Sequence, residues 1–165
     1  MTHRSAPRVP AQRTSAGGCV MPLGLALVAG PGVRVPVTAC LRYSSADPYA
    51  VHLDFHLGQG MPVRWTFARE LLATGLHGWA GTGDVSVFPG TDQDRQSTCL
   101  SLDGDTGTVL LLAPTTAVRT FLGYADRLVP PGTEQRYVDL EGLLARLLDG
   151  PEPGLGWREG LGEPD

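Results

Sequence analysis

From Tyr49 to Leu57 apolar and polar residues alternate. Tyr49, Val51, Leu53, Phe55 and Leu57 take the odd positions, and Ala50, His52, Asp54 and His56 the even ones. Period two sends alternate side chains to opposite faces, so this run predicts a strand with one buried side. Gly58-Gln59-Gly60 turns the chain, and Val63, Trp65 and Phe67 resume the alternation against Arg64 and Thr66. Together the two runs predict a β-hairpin, with Trp65 buried against helices near the C-terminus.

Upstream, Leu23, Leu25 and Leu27 alternate with smaller residues and predict a first strand. Gly30-Pro31-Gly32 reads as a turn into a second strand that carries Val33, Val35 and Val37 and runs to about Tyr43. Pro36 has no N–H to donate, which predicts a sheet edge at that point. Downstream, Ala68 to Thr74 reads as a short helix closed by Gly75 in the left-handed conformation that ends helices. A Gly-rich loop at 78–83, a short strand Val85–Phe88 and a polar loop at 89–96 follow. Ser97–Leu102 and Thr108–Ala113 flank Asp103-Gly104-Asp105-Thr106-Gly107 and predict a second hairpin.

After Pro114 the period changes. Val118, Phe121, Leu122, Ala125, Leu128 and Val129 fall at helical spacing, with Pro114 suited to the first turn and Pro130-Pro131-Gly132 as the stop. Leu140, Leu143, Leu144, Leu147 and Leu148 form a second helical stripe behind Asp139, a suitable N-cap. Gly142 weakens that helix by about 1 kcal/mol relative to alanine. The order predicts an α+β fold: a twisted, mostly antiparallel sheet with two C-terminal helices packed on it.

Composition sets the boundaries. The 165 residues suit one domain. Residues 1–18 are rich in Arg, Ser and Pro, carry no acid, and read as a disordered leader. The folded domain is expected at 19–149, and 150–165 as a disordered acidic Gly/Pro tail. Arg4, Arg8 and Arg13 ahead of the apolar run 20–30 imitate a signal peptide, but Pro22, Gly24 and Gly30 interrupt it. No run reaches the roughly 18 apolar residues of a membrane span. Cys19, Cys40 and Cys99 stand far apart without a CxxC pair, which fits a reducing cytoplasm better than a disulfide framework. The net charge is −4, and all 13 basic residues are Arg, so no global basic field draws the chain to nucleic acid.

Candidate chemistry is sparse. His52, Asp54 and His56 share one strand face, but the two histidines stand about 13 Å apart along the backbone at ~3.3 Å per residue. They cannot meet on one zinc, whose ligands each sit about 2 Å from it. Arg64 on the adjoining strand adds a cation. The face His52, Asp54, His56 and Arg64 therefore reads as a solvated surface or a partner contact, with no metal. Asp103-Gly104-Asp105 fails as a calcium loop, since Thr108 and Pro114 stand where Gly and Glu are needed. Gly81-Thr82-Gly83-Asp84 lacks the Lys-Ser/Thr of a phosphate loop, and no GxSxG elbow occurs. No catalytic residue and no cofactor are expected. Trp65 and Phe67 beside Arg64 and Arg69 imitate a base-stacking platform, and their alternation favours core.

The segment LRYSSADPYAVHLDFHLGQGMPVRWTFARELLATGLHGWAGTGDV resembles the SsgA-like sporulation and cell-division proteins of actinobacteria. Its marks are LRY, DPYAV, the F-H pair, the W-x-F-x-R-[ED]-L-L block, G-L and GDV. The later APTTAVRTFLGYADRLVPPGTE resembles the family's helix and its exit. The resemblance spans about residues 19–149. It implies a twisted antiparallel sheet similar to the Whirly type of single-strand nucleic-acid-binding fold, assembled as a homotrimer. It also implies a non-enzymatic role at the division septum, in contact with other SsgA-like proteins and with FtsZ, the tubulin-like division protein. The alternative it leaves is a single-stranded nucleic-acid binder. The leader and the tail past 150 depart from the family pattern.

Overall fold

The computed structural model describes residues 12–14, 17–56, 60–93, 95–138 and 140–148. Eight strands join in one sheet: β1 (Gln12–Thr14), β2 (Gly18–Gly30), β3 (Val33–Ser44), β4 (Asp47–Phe55), β5 (Val63–Ala68), β6 (Val85–Asp92), β7 (Arg95–Gly104) and β8 (Gly107–Pro114). The order is β5-β4-β3-β2-β8-β7-β6, with β1 on β2, and every pairing is antiparallel. Helices α1 (Arg69–Gly75), α2 (Thr115–Leu128) and α3 (Leu140–Leu148) complete the chain. This is the α+β, mostly antiparallel architecture that the periodicity predicts.

Two meanders make the sheet, and they meet in only two register pairs, Ala26 with Leu112 and Leu27 with Leu111. The sheet curls about this narrow seam. Arg34 of β3 reaches Asp92 of β6 at 3.2 Å, and the Trp65 ring of β5 lies beside Gly104 of β7. Helix α2 fills the concave side. Its Val118, Phe121, Leu122 and Ala125 are buried against Leu25, Leu41, Leu53, Leu100 and Leu111 of the strands.

Several expectations change in physical detail. Gln12–Thr14, inside the stretch read as leader, pair with Gly18–Val20. Residues 1–11 and 149–165, with Asp139 and most of the Gly58-Gln59-Gly60 turn, lie outside the described residues. Pro36 does sit at an edge, because β4 pairs with β3 only from Ala39 onward. Pro31-Gly32 links β2 to β3, with Gly32 at φ +71°, where a side chain would be strained. Pro114 closes β8 and caps α2 instead of entering its first turn. The predicted polar loop at 89–96 is largely strand, turning only around Gln93.

Gly75 is also a correction. It keeps negative φ inside α1, and the left-handed cap predicted for it is absent. Its lack of a side chain serves packing: a Cβ there would lie 2.3 Å from Val87 Cγ1. Tyr49 leaves the buried face of β4 because a register shift between Tyr43 and Ser44 bulges the strand at Pro48–Ala50, leaving Tyr49 54% exposed. Helix α3 also differs. Leu140, Leu144, Leu147 and Leu148 are exposed, so its apolar stripe is not packed on the sheet.

Trp65 is half-buried, packed at the margin of the core beside the β7–β8 turn, and is less enclosed than predicted. Trp65→Ala is therefore expected to cost about 2 kcal/mol, below the roughly 3–5 kcal/mol of a fully buried large aromatic. Denaturant titration checks this, and a loss of 4 kcal/mol or more would put the indole back in the core.

Candidate functional site

The polar face of β3, β4 and β5 points away from α2. Asp54 stands opposite Arg64 and diagonal to Arg42. Arg64 donates to its carboxylate at 2.6 and 2.9 Å, and Arg42 at 2.7 Å. The Arg64 and Arg42 hydrogen bonds hold the Asp54 carboxyl down at about 2. His52 bonds Thr66 at 2.8 Å on the neighbouring strand, and His56 is exposed just past the end of β4. The structure thus joins Asp54 with Arg64, adds Arg42, and leaves the two histidines outside that cluster. Among the described residues, no three of His, Cys, Asp or Glu are grouped to hold a metal.

A lowered carboxyl stabilises the fold above its ordinary pKa, and the benefit is lost as pH falls from about 4 to about 2. Both arginines are half exposed, so screening reduces it to about 1 kcal/mol. Asp54→Asn is expected to cost that much at neutral pH and progressively less as the pH falls through about 2. A chemical-denaturation series against pH reads the convergence of the two proteins.

A second site lies at the opposite end of β4, built around Arg69. Phe67 and Arg69 are both buried, so the apolar phase of β5 runs on into the first residue of α1 and carries a cation inward. A buried guanidinium must be paired. Arg69 donates to the Val129 carbonyl at 2.6 Å, to the Tyr43 hydroxyl at 3.2 Å and to Glu134, and lies 3.6 Å from Asp126. Its guanidinium also stands 5.2 Å from the centre of the Tyr43 ring. Tyr43 in turn donates to the Pro48 carbonyl at 2.9 Å, bracing the bulge of β4. Burial pushes the Tyr43 hydroxyl up to about 12, so it remains a neutral donor. Glu134's own backbone N–H and Arg69 hold its carboxyl below the usual range.

Above Arg69 opens a cleft of about 380 Å³. Tyr49 and Pro131 stand on its walls, with Glu70, Asp126 and Glu134 beside them. Three carboxylates and one paired guanidinium thus set its charge. Two of the three cysteines are buried, and burial raises both thiols, Cys19 to about 11. The arrangement holds a shape and presents carboxylates.

Several of the sequence marks now acquire a common cause. Tyr43 ends LRY, Pro48 and Tyr49 lie in DPYAV, Arg69 is the Arg of W-x-F-x-R, and Val129 and Glu134 bound VPPGTE. Tyr43, Val129 and Glu134 bond the buried Arg69, and Pro48 and Tyr49 line the cleft above it. A family model described as "Streptomyces sporulation and cell division protein, SsgA" matches residues 37–134, which includes each of these. The chain belongs to the SsgA family.

Relatives extend the match. The sporulation-specific cell division protein SsgB of Streptomyces coelicolor is 48% identical over 126 residues, covering 76% of this chain and 92% of that protein. The Frankia casuarinae SsgB is 43% identical over 131 residues, covering 79% and 92%. A solved SsgB structure, from work on longitudinal cell division during sporulation of Streptomyces coelicolor, superposes with a TM-score of 0.71 at 47% identity, covering 73% of this chain and 94% of that one. An SsgA-like sporulation-specific cell division protein from Thermobifida fusca gives 0.72 at 34% identity, covering 82% and 99%. This SsgA-family chain thus shares both sequence and curled sheet with proteins of sporulation division.

Sequence reasoning singled out the Asp54 face and missed the Arg69 cleft. The available signal was Arg69 itself, an arginine in phase with Phe67 on an inward-facing run.

Proposed function

We propose that this SsgA-family chain is a non-enzymatic adaptor of sporulation-specific cell division. It acts in the cytoplasm at the division septum, where it positions FtsZ together with other SsgA-like proteins. The observation that carries the reading is the convergence of several of the family's marks on a buried arginine that shapes a surface cleft. A chain organised for recognition needs such a scaffold, which holds the groups around the cleft in fixed positions. The polar face of His52, Asp54, His56 and Arg64 serves as a further contact surface in the same reading.

Charge weighs against the nucleic-acid alternative. Single-strand binders track the backbone with a basic groove. Here Arg34, Arg42, Arg64 and Arg69 each face a carboxylate, and the net charge is −4. Fold likeness alone carries no function.

The adaptor works as a homotrimer in this reading. Support comes from apolar surface that a lone chain leaves wet: the α3 leucines, and Val33 and Val35 at the β2–β3 tip. Light scattering is expected to return three times the 17.5 kDa chain mass. A monomer at micromolar concentration would contradict it.

The functional test is replacement. In a sporulating actinobacterium lacking its own SsgB, this chain is expected to restore regularly spaced septa and the underlying FtsZ ladders. Septa restored without any change in FtsZ placement would remove the FtsZ part of the proposal.

A further inference from the structure

We infer that the cleft over Arg69 is the docking site for an extended segment of a protein partner that carries an Arg or Lys next to an apolar residue. This deepens the adaptor reading and rests on it.

The cleft volume of about 380 Å³ lies in the range that encloses a ligand-sized group. Its walls are stiff. Tyr49 stands on a bulge pinned by the bond from Tyr43 to Pro48, and Pro131 belongs to a turn closed by the bond from Thr133 N–H to the Pro130 carbonyl at 3.1 Å. An exposed tyrosine beside a proline offers apolar contact at small entropic cost, as recognition surfaces do. A preformed cleft also lowers the ordering cost of binding.

Charge selects the occupant. Glu70, Asp126 and Glu134 place three carboxylates around the cleft, against the single guanidinium of Arg69. Arg69 is buried, and three of its five N–H donors go to Val129, Tyr43 and Glu134 within the fold. An incoming anion would meet three carboxylates around one buried guanidinium that is already paired. An incoming cation finds Asp126, whose side chain is 44% exposed, and Glu70, exposed in the first turn of α1. Charge-assisted hydrogen bonds to those two carboxylates fix the basic side chain, while Tyr49 and Pro131 take its apolar neighbour.

The experiment is an amide NMR titration of the full chain with two probes, the peptide acetyl-Leu-Arg-Leu-Arg-amide and its matched acetyl-Leu-Glu-Leu-Glu-amide. The basic peptide is expected to give saturable shifts at residues 68–73 and 132–134, and the acidic one none. The double substitution Glu70→Gln/Asp126→Asn should weaken the basic peptide about tenfold or more, the factor that corresponds to 1.4 kcal/mol. Tyr49→Ala should weaken it without lowering the melting temperature. Equal response to both peptides, shifts confined to other surfaces, or unchanged affinity in the double variant overturns the inference. A fall in assembly mass for the double variant would give the cleft to a second copy of the chain and overturn it as well. FtsZ binding is measured separately: peptide binding without FtsZ binding removes the adaptor reading, and FtsZ binding unaffected by the double substitution removes the cleft.

Discussion

Arg69→Ala is expected to lower the unfolding free energy by roughly 3–5 kcal/mol, the range for breaking a buried ion pair from one side. The variant strands the Val129 carbonyl and the Glu134 carboxylate, and removes the group that joins β3, α1, the end of α2 and the turn after it. For a folded part of this size the melting temperature should fall by about 10–20 °C. Arg69→Lys keeps the charge but reaches fewer acceptors, and should fall between the two. Arg64→Ala removes an equally charged but exposed residue and should move the melting temperature far less. If the Arg69 and Arg64 variants melt alike, the buried node is not what organises this end of the fold.

Phe121→Ala carries the other large effect. The ring is fully buried where α2 crosses the concave face, among residues of both meanders. Truncating a buried Phe costs roughly 3–5 kcal/mol, because the cavity adds to the lost transfer energy. The two meanders share only the Ala26–Leu112 and Leu27–Leu111 pairs, so α2 supplies much of what holds them together. Equilibrium denaturation should show the loss as a lower midpoint. A loss under 1 kcal/mol would mean that α2 is not seated in the curl.

What could be read from the sequence, and what could not, follows from the range of each signal. Val51, Leu53 and Phe55 were legible because period two is a local property of a strand with one wet face. Tyr49 broke the pattern through a bulge, whose extra residues no alternation encodes. The outer half of β6 was lost because Pro89 and Gly90 look like loop, although an edge strand tolerates both. Gly75 was assigned the right helix end for the wrong reason, since its constraint comes from Val87 across the fold. The α3 stripe was legible as amphipathic, and whether a neighbour covers it is a tertiary fact.

The same distinction holds for the sites. The Asp54 cluster was half visible, because Asp54 and Arg64 belong to one predicted hairpin, whereas Arg42 joins them only through the register of a further strand. The Arg69 node was invisible as a unit. Its partners Tyr43, Asp126, Val129 and Glu134 are spread over some ninety residues, and none is unusual by itself. The family marks registered them as text, and the fold shows the packing and hydrogen bonds that make them one structure.

The account stands or falls on the nature of the partner. The direct measurement is binding of the purified full chain, at physiological salt, to FtsZ and to labelled single-stranded DNA in parallel. The adaptor reading predicts saturable FtsZ binding that Glu70→Gln/Asp126→Asn weakens, and DNA binding that is weak and falls steeply with added salt. Submicromolar DNA binding that survives deletion of residues 1–18, with no binding to FtsZ, would contradict it.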